Sequence, residues 1–209
     1  MGLYPDQVFD QMRYLETHRL VLRRMTMRDA QDMYEYSRDP QVARHVLWDA
    51  HRSLGETRSY IRSALRRYRA GQAASLVIEL KAERKVIGTI GFMWYQQDNS
   101  SAEVGYSLSR AYWNRGIMTE ALGAVVDFAF RQLRINRLEA QHEVDNPASG
   151  QVMRNVGMVK EGTLRQRLFN KGRYVDVDLY AILREDFLKR ETKTQGGASK
   201  GSLPFDSRN

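Results

Sequence analysis

The sequence predicts an α/β (α+β) fold in a single domain. Runs rich in β-branched and aromatic residues, 74–80 and 86–95, flank a polar turn and indicate a hairpin. A third such run, 102–108, is followed by a glycine-containing loop and then by apolar residues spaced three and four apart, as on the buried face of a helix. A further alternating run, 138–144, completes a strand–helix–strand crossover, which is typical of mixed domains.

Ahead of the hairpin, the pattern predicts an N-terminal extension, one strand and two helices: 1–14, 15–24, 27–37 and 53–69. The strand is assigned because apolar and polar residues alternate from Leu20. Thr26 is a candidate N-cap of the first helix, and Pro40 ends that helix because the residue before a proline avoids the helical conformation. Gly71 is the stop signal of the second helix.

After the crossover, the pattern predicts a short helix and two closing strands: 147–157, 158–164 and 174–183. Asn146 and Pro147 favour the start of the helix, since asparagine is a preferred N-cap and proline a preferred first residue. The strands are joined by a turn at Lys171 and Gly172. We therefore place the domain at 15–190 and expect 191–209, which is rich in Lys, Thr, Gly and Ser, to be a disordered tail.

Length and composition exclude several classes of protein. The 209 residues suit one well-buried domain, and the apolar fraction of 42% suits a globular one. No apolar run approaches the roughly 20 residues that cross a bilayer, and the N-terminus lacks a secretory signal. The absence of cysteine excludes a disulfide framework, a thiol nucleophile and a cysteine zinc site. We expect a cytoplasmic protein with no membrane partner.

The net charge of +8 favours association with polyanions such as nucleic acid or phosphorylated cofactors. Much of the excess lies in one predicted helix, in four arginines: Arg62, Arg66, Arg67 and Arg69. We interpret them as a solvated helix face, because no aromatic-interleaved RNA motif accompanies them, and direct nucleic-acid binding is not expected. His45 and His51 have no acidic partner in a ligand pattern, so we expect no metal site.

The loop between 108 and 117 is a candidate phosphate site. The first N–H groups of the helix that follows have no internal partner, and the helix dipole adds partial positive charge there. Gly116 lets the backbone approach a ligand closely, and Arg115 could reach a phosphate oxygen. Such turns also occur in proteins that bind no phosphate. No GxGxxG or GxxxxGK[ST] motif is present, so neither a dinucleotide fold nor a P-loop is indicated.

Four stretches together resemble the GNAT superfamily of N-acetyltransferases, in the branch of the ribosomal-protein N-terminal (RimJ/RimL-type) enzymes. They are EVGY at 103–106, YWNRGIMTEA at 112–121, NPAS at 146–149 and NVGMVKEG at 155–162, and the resemblance runs from about Leu15 to Phe187. It implies a mostly antiparallel central sheet flanked by helices and acetyl-CoA as cosubstrate. Two positions depart from the superfamily's phosphate loop: Trp113 replaces Gln or Arg, and Met118 replaces a small residue, so its side chain must point away from the phosphates.

The resemblance also implies the residues that hold acetyl-CoA. The pyrophosphate would be bound by main-chain N–H groups of Trp113, Asn114, Arg115, Gly116, Ile117, Met118 and Thr119. The pantetheine arm would pair with the backbone of Ser107, Leu108 and Ser109, on a bulged strand that also offers an N–H to the thioester oxygen, and would contact Asn146. Asn146 can equally serve as a helix cap.

For the chemistry, Ser149 matches a serine that lies near the sulfur and donates to the thiolate. Glu103 is the candidate base, acting through a water, although a carboxylate with an ordinary pKa near 4.3 is a weak base unless its site raises that pKa. The alternative is a surface glutamate with a cross-strand partner. Tyr106 and Tyr112 are other candidates for proton handling, but buried tyrosines more often simply pack.

The sequence leaves the chemical identity of the acetyl acceptor open. The branch indicates a protein N-terminal amine, possibly ribosomal, and places the acceptor near 41–48, where Trp48 lies. A small amine such as a polyamine or an aminoglycoside is the alternative, as is a non-catalytic module that senses acyl-CoA, which Met118 would favour. Asp176 and Asp178 share a strand face and either attract a cationic acceptor or face solvent. The oligomeric state could be monomer or homodimer.

Overall fold

The computed structural model describes residues 4–198 and contains eight strands: β1 (Tyr14–Glu16), β2 (Leu20–Arg23), β3 (Leu76–Leu80), β4 (Lys85–Gln96), β5 (Ser101–Leu108), β6 (Arg137–Glu143), β7 (Val159–Asn170) and β8 (Arg173–Leu183). They form one sheet in the order β1-β2-β3-β4-β5-β6-β8-β7. Every neighbouring pair is antiparallel except β5 and β6. The predicted mixed, mostly antiparallel sheet is confirmed.

Seven α-helices flank this sheet: α1 (Pro5–Gln11), α2 (Ala30–Ser37), α3 (Pro40–Ala43), α4 (Leu54–Arg69), α5 (Ile117–Asp127), α6 (Pro147–Asn155) and α7 (Arg184–Ala198). A 3₁₀ turn precedes α2, another precedes α5, and a π-helical turn, Phe128–Gln132, continues α5. Within the described residues no helix combines the length and the apolar character needed to cross a bilayer.

The two faces of the sheet carry different helices. Leu76 and Ile78 of β3 pack in one core with α5, α6 and α1, whereas the residue between them, Val77, packs in a second core with α2 and α4. This follows from the alternation of side chains along a strand. Val8 of α1 is fully buried in the first core. The predicted extension 1–14 therefore includes a helix that packs on the sheet, while residues 1–3 lie outside the described part.

One predicted strand was wrong. The run 15–24 forms β1 and β2 with a turn between them, because Thr17 closes a tight loop onto Leu20. Its N–H donates to the Leu20 carbonyl at 3.0 Å, and its Oγ1 accepts from the Leu20 N–H at 3.0 Å. At the other end, α7 runs to Ala198, past the predicted boundary at 190, and residues 199–209 of the predicted tail lie outside the described residues.

The crossover from β5 through α5 to β6 shapes the middle of the sheet. The two parallel strands pair over only three positions, from Ser101 opposite Arg137 to Glu103 opposite Glu139. Beyond Glu103, β5 keeps its partner β4 as far as Leu108 but has no pair on the β6 side among the described residues. The strands therefore diverge and leave a cleft between them that opens toward the start of α5.

Candidate active site

The loop before α5 lies at the open end of this cleft. Trp113 to Gly116 are exposed, and Gly116 adopts the left-handed conformation (φ +67°) as the helix N-cap. The first bond of the helix runs from the Glu120 N–H to the Gly116 carbonyl at 3.0 Å. The N–H groups of Ile117, Met118 and Thr119 therefore have no intrahelical acceptor. With the helix dipole, they form a site suited to an anion.

Side chains of the β1–β2 turn hold this loop in place. Arg19 donates from its N–H and its Nε to the two carboxylate oxygens of Glu120, at 2.8 and 2.5 Å, and from NH1 to the Arg115 carbonyl at 3.0 Å. Thr17 Oγ1 also donates to Glu120, at 2.6 Å. Burial raises the pKa of Glu120, but these hydrogen bonds outweigh it and keep the pKa below its ordinary value. Sequence inspection missed this network, because its partners are about a hundred residues apart.

The unusual side chains of the loop avoid the anion site. Met118 is buried in the core beneath α5, as its replacement of a small residue required. Trp113 is 41% exposed and donates from Nε1 to the Leu108 carbonyl at 2.8 Å, which ties the loop to the end of β5. Asn114 also has a positive φ, +57°, and the Arg115 guanidinium lies over the Tyr112 ring.

The main chain of β5 divides its hydrogen bonds between the two sides. Ser109 donates to the Ile87 carbonyl at 2.7 Å and accepts from Tyr112 at 3.0 Å, so its backbone is used within the fold. Along an antiparallel strand, the main-chain groups of every second residue bond to the same neighbouring strand. The main chain of Ser107 therefore also bonds to β4, whereas the main-chain groups of Tyr106 and Leu108 point into the cleft.

This pattern differs from the expected pairing of all three residues 107–109 with the pantetheine arm. The side chain of Ser107 is also occupied, in a buried contact of 3.0 Å with Thr89. The bulge expected in this strand lies in β4 instead, where Met93 is the extra residue between Phe92 and Trp94. Leu108 is thus the one of the three whose main chain is directed into the cleft; its carbonyl accepts from Trp113, which leaves its N–H for a ligand.

The start of α6 borders the cleft on the face covered by α5. Asn146 is the N-cap by position, but its side chain makes no capping hydrogen bond. Ser149, in the first turn, lies with its Oγ 2.8 Å from the Tyr106 hydroxyl, which also donates to the Ser149 carbonyl at 3.1 Å. Burial raises the pKa of Tyr106 well above its ordinary value, so this hydroxyl keeps its proton at neutral pH.

Glu103 lies on the opposite face, at the point where β5 and β6 separate. Its two carboxylate oxygens accept from Trp94 Nε1 at 2.6 Å and from Gln141 Nε2 at 3.0 Å. It opens into a cavity of about 260 Å³ whose floor is the sheet and whose wall includes Leu164 and Arg167 of β7. Glu103 is half-buried rather than fully exposed, but it has the cross-strand partner that the alternative expected, because Trp94 lies directly opposite it in β4. Ser149 and Glu103 approach the cleft from opposite sides.

A second buried carboxylate, Glu143, was missed by sequence inspection. His45 Nδ1 lies 2.9 Å from one of its oxygens, and Asn170 donates to the other at 2.5 Å. Burial raises the pKa of Glu143, but these contacts outweigh it and hold the pKa below its ordinary value. Lys171 of the β7–β8 turn donates to the carbonyls of Val46 and Trp48. These contacts hold the predicted acceptor segment 41–48 against the C-terminal end of β6.

The two aspartates of β8 differ in exposure. Asp176 is exposed, as one of the two alternatives expected, whereas Asp178 is buried and pairs with Lys160 Nζ at 2.7 Å. His51 packs between Trp48 and Tyr60, and burial lowers its pKa. Among the residues that the structure describes, no group of three or more His, Cys, Asp or Glu side chains could hold a metal ion.

Comparison with known proteins places this geometry in a family. The family model "Acetyltransferase (GNAT) domain" matches residues 19–159. An uncharacterized N-acetyltransferase, p20, of Bacillus licheniformis is 34% identical over 84% of this chain and 99% of its own length. The ribosomal-protein-serine acetyltransferase of Escherichia coli K12 is 32% identical over 60% of this chain and 69% of its own length.

A solved structure shares the fold. RimL, a ribosomal-protein α-N-acetyltransferase in complex with coenzyme A, superimposes with a TM-score of 0.74 at 23% identity, covering 83% of this chain and 99% of RimL. The E. coli relative supports the resemblance to the RimJ/RimL-type branch. The chain belongs to the GNAT family and is an acetyltransferase.

Proposed function

We propose that this chain transfers the acetyl group of acetyl-CoA to the α-amine at the N-terminus of a protein, by direct attack in a ternary complex. The observation that carries the proposal is the set of unbonded N–H groups at the start of α5, exposed at the open end of the cleft between β5 and β6. These groups suit a diphosphate, and the cleft leads from them to Ser149 on one side and Glu103 on the other.

The cosubstrate follows the cleft in this proposal. The pyrophosphate binds the main chain of 114–119, and the pantetheine arm passes the cleft-facing backbone of Leu108 and Tyr106. The side chain of Asn146, which makes no capping bond, contacts the arm. The side chain of Met118 is buried and leaves the loop uncovered, which removes the feature that favoured a non-catalytic module.

The acetyl transfer needs few groups from the protein. The ammonium loses one proton to Glu103 through a bound water, and its nitrogen attacks the thioester carbon. The C–N bond forms, the C–S bond breaks, and the second nitrogen proton passes to the departing thiolate to give free coenzyme A. The Ser149 hydroxyl hydrogen bonds to the departing thiolate, which is a mild demand because a thiol has an ordinary pKa near 8.5. The cleft-facing Leu108 N–H is the candidate donor to the developing oxyanion.

The relatives support a protein acceptor, and one feature supports a small amine instead. The E. coli relative is named for a serine of a ribosomal protein. The carboxylates of Glu103 and Glu139 in the cavity, on the other hand, would attract any primary ammonium, including that of a metabolite. A screen of N-terminal peptides against small amines separates the two.

The binding site is tested by titrating acetyl-CoA calorimetrically into the wild type and Asn146→Ala. We expect about a tenfold weaker affinity in the variant, the effect of one lost hydrogen bond to a bound ligand. Asn99→Ala, on a turn outside the cleft, is the control and should bind as the wild type does. Equal affinity in Asn146→Ala and wild type would remove Asn146 from the site.

The reaction is tested by following the thiol that acetyl transfer releases. The chain contains no cysteine, so free coenzyme A is the only thiol in the assay. Glu103→Gln and Ser149→Ala should lower kcat, Glu103→Gln by about a hundredfold, while acetyl-CoA affinity stays near that of the wild type. Failure of the wild type to acetylate any peptide or small amine, despite binding acetyl-CoA, would contradict the proposed function.

A further inference from the structure

Strand β7 carries a wide bulge beside the cavity that contains Glu103. Leu164 pairs with Val177 and Leu168 with Val175, so three residues, 165–167, lie opposite the single residue Asp176. The bulge has a defined conformation held by a hydrogen bond. Gln166 adopts a positive φ of +49°, and its N–H donates to Asp176 Oδ1 at 2.7 Å. Bulges of this kind redirect side chains and are frequent beside active sites.

The redirected residue is Arg167. Its side chain lines the cavity together with Glu103, whereas its neighbour Arg165 does not. Among the side chains that the structure describes, no acidic group lies at ion-pairing distance from Arg167. The cavity therefore presents a guanidinium whose five donors have no protein carboxylate to bind, in a form that matches a planar anionic group.

The carboxylates of the cavity divide into one that is paired and one that is not. Glu139 forms an ion pair with Arg137 Nε at 2.5 Å. Glu103 accepts from the neutral groups of Trp94 and Gln141, and its negative charge has no cationic partner among the described residues. One unpaired negative charge and one unpaired positive charge thus line the same small space.

We propose that the acceptor carries an anionic group close to its primary amine, and that Arg167 is the residue that selects it. The ammonium approaches Glu103, and a carboxylate of the same molecule binds Arg167. This inference rests on the proposed acetyl transfer and narrows its substrate class. A polyamine would place a second ammonium against Arg167, which like-charge repulsion disfavours.

Two sources offer this chemistry: a polypeptide whose second residue is acidic, and a free amino acid with its own carboxylate. The test compares three peptides that differ only in the second residue, Glu, Gln or Lys, together with a free amino acid and its amide. Each acceptor is assayed with the wild type, Arg167→Gln, Arg167→Glu and the matched control Arg165→Gln, which removes the same charge from the same bulge outside the cavity.

We expect the wild type to prefer Glu over Gln by about fivefold in kcat/KM, and Lys least, because Arg167 is exposed and solvent weakens its ion pair with the acceptor. A preference for the free amino acid over its amide would identify the α-carboxylate as the ligand. Arg167→Gln should abolish the preference mainly through KM, and Arg167→Glu should favour the Lys peptide. Arg165→Gln should keep the wild-type order.

The outcomes separate the two proposals. A wild type that acetylates all acceptors without preference, or an Arg165→Gln variant that changes the preference as much as Arg167→Gln does, would overturn the role of Arg167 and leave acetyl transfer standing. A wild type that acetylates none of them while binding acetyl-CoA would reject the proposed function itself. Acetyl-CoA affinity measured in each variant confirms that the cosubstrate site remains folded.

Discussion

Replacing Glu120 by alanine should loosen the phosphate loop and destabilise the whole domain. The carboxylate, 20% exposed, accepts from Thr17 and from two groups of Arg19. Hydrogen bonds to charged groups contribute about 1.5–3 kcal/mol each, but the Arg19 side chain is 39% exposed, and solvent reduces its share. We therefore expect a loss of about 2–3 kcal/mol for the whole set.

The loss is measurable as a shift of the thermal midpoint. For a chain of this length one kcal/mol corresponds to roughly 2–4 °C, so Glu120→Ala should melt roughly 4–12 °C below the wild type. Asp127→Ala is the matched control, because Asp127 is an exposed carboxylate on the same helix with no ion pair among the described residues. Its midpoint should stay within about 2 °C, since surface substitutions change stability by less than about 0.5 kcal/mol.

The stability difference between wild type and Glu120→Ala depends on pH, because the Glu120 carboxylate titrates. Because the folded pKa of Glu120 is below its ordinary value of 4.5, its contribution is complete above about pH 5 and is lost as pH falls through the lower folded pKa. The gap between wild type and Glu120→Ala should therefore shrink below about pH 4.5. Acetyl-CoA affinity should fall as well, because Arg19 no longer holds the Arg115 carbonyl. Equal midpoints at pH 7, or a gap that widens in acid, would refute this reasoning.

Two further substitutions and one pH effect test other contacts. Gly116→Ala should cost about 1–2 kcal/mol, because φ is +67° there, while its Cβ would meet Arg19 only at an ordinary 3.6 Å; acetyl-CoA titration and melting check this. Gly150→Ala would place a Cβ 2.6 Å from the buried His142 Nε2 and should cost about 1–3 kcal/mol; an unchanged midpoint would mean that the ring moves freely. Hydrogen bonds outweigh burial and lower the pKa of Asp29, so the excess stability of wild type over Asp29→Asn should decline below about pH 4 in denaturant titrations.

Local patterns predicted most of the elements because each depends on nearby residues. The helix over 53–69 is confirmed as α4, with Ser53 accepting the Glu56 N–H, and the hairpin as β3 and β4. The crossover into β6 is also confirmed. The division of 15–24 was missed because Thr17, a residue common in strands, acts there through its side chain as a turn former.

The supporting contacts of the site could not be read from local patterns. His45 meets Glu143 across 98 positions of the chain, and Arg19 meets Glu120 across 101. Periodicity reports which face of an element is buried and says nothing about which distant polar group it meets. The bulge that redirects Arg167 was equally hidden, because its residues 165–167 include no glycine or proline.

The separation of β5 and β6 places an unsatisfied strand edge in the interior of a sheet instead of at its margin. Outer edges attract other polypeptides, which can align along them and aggregate. Here α5 and α6 pack on one side of the gap, and the cavity that contains Glu103 lies on the other. A flexible molecule with amide groups of its own would supply the hydrogen-bond partners that β5 lacks beyond Glu103, so the interrupted pairing itself offers a main-chain binding surface.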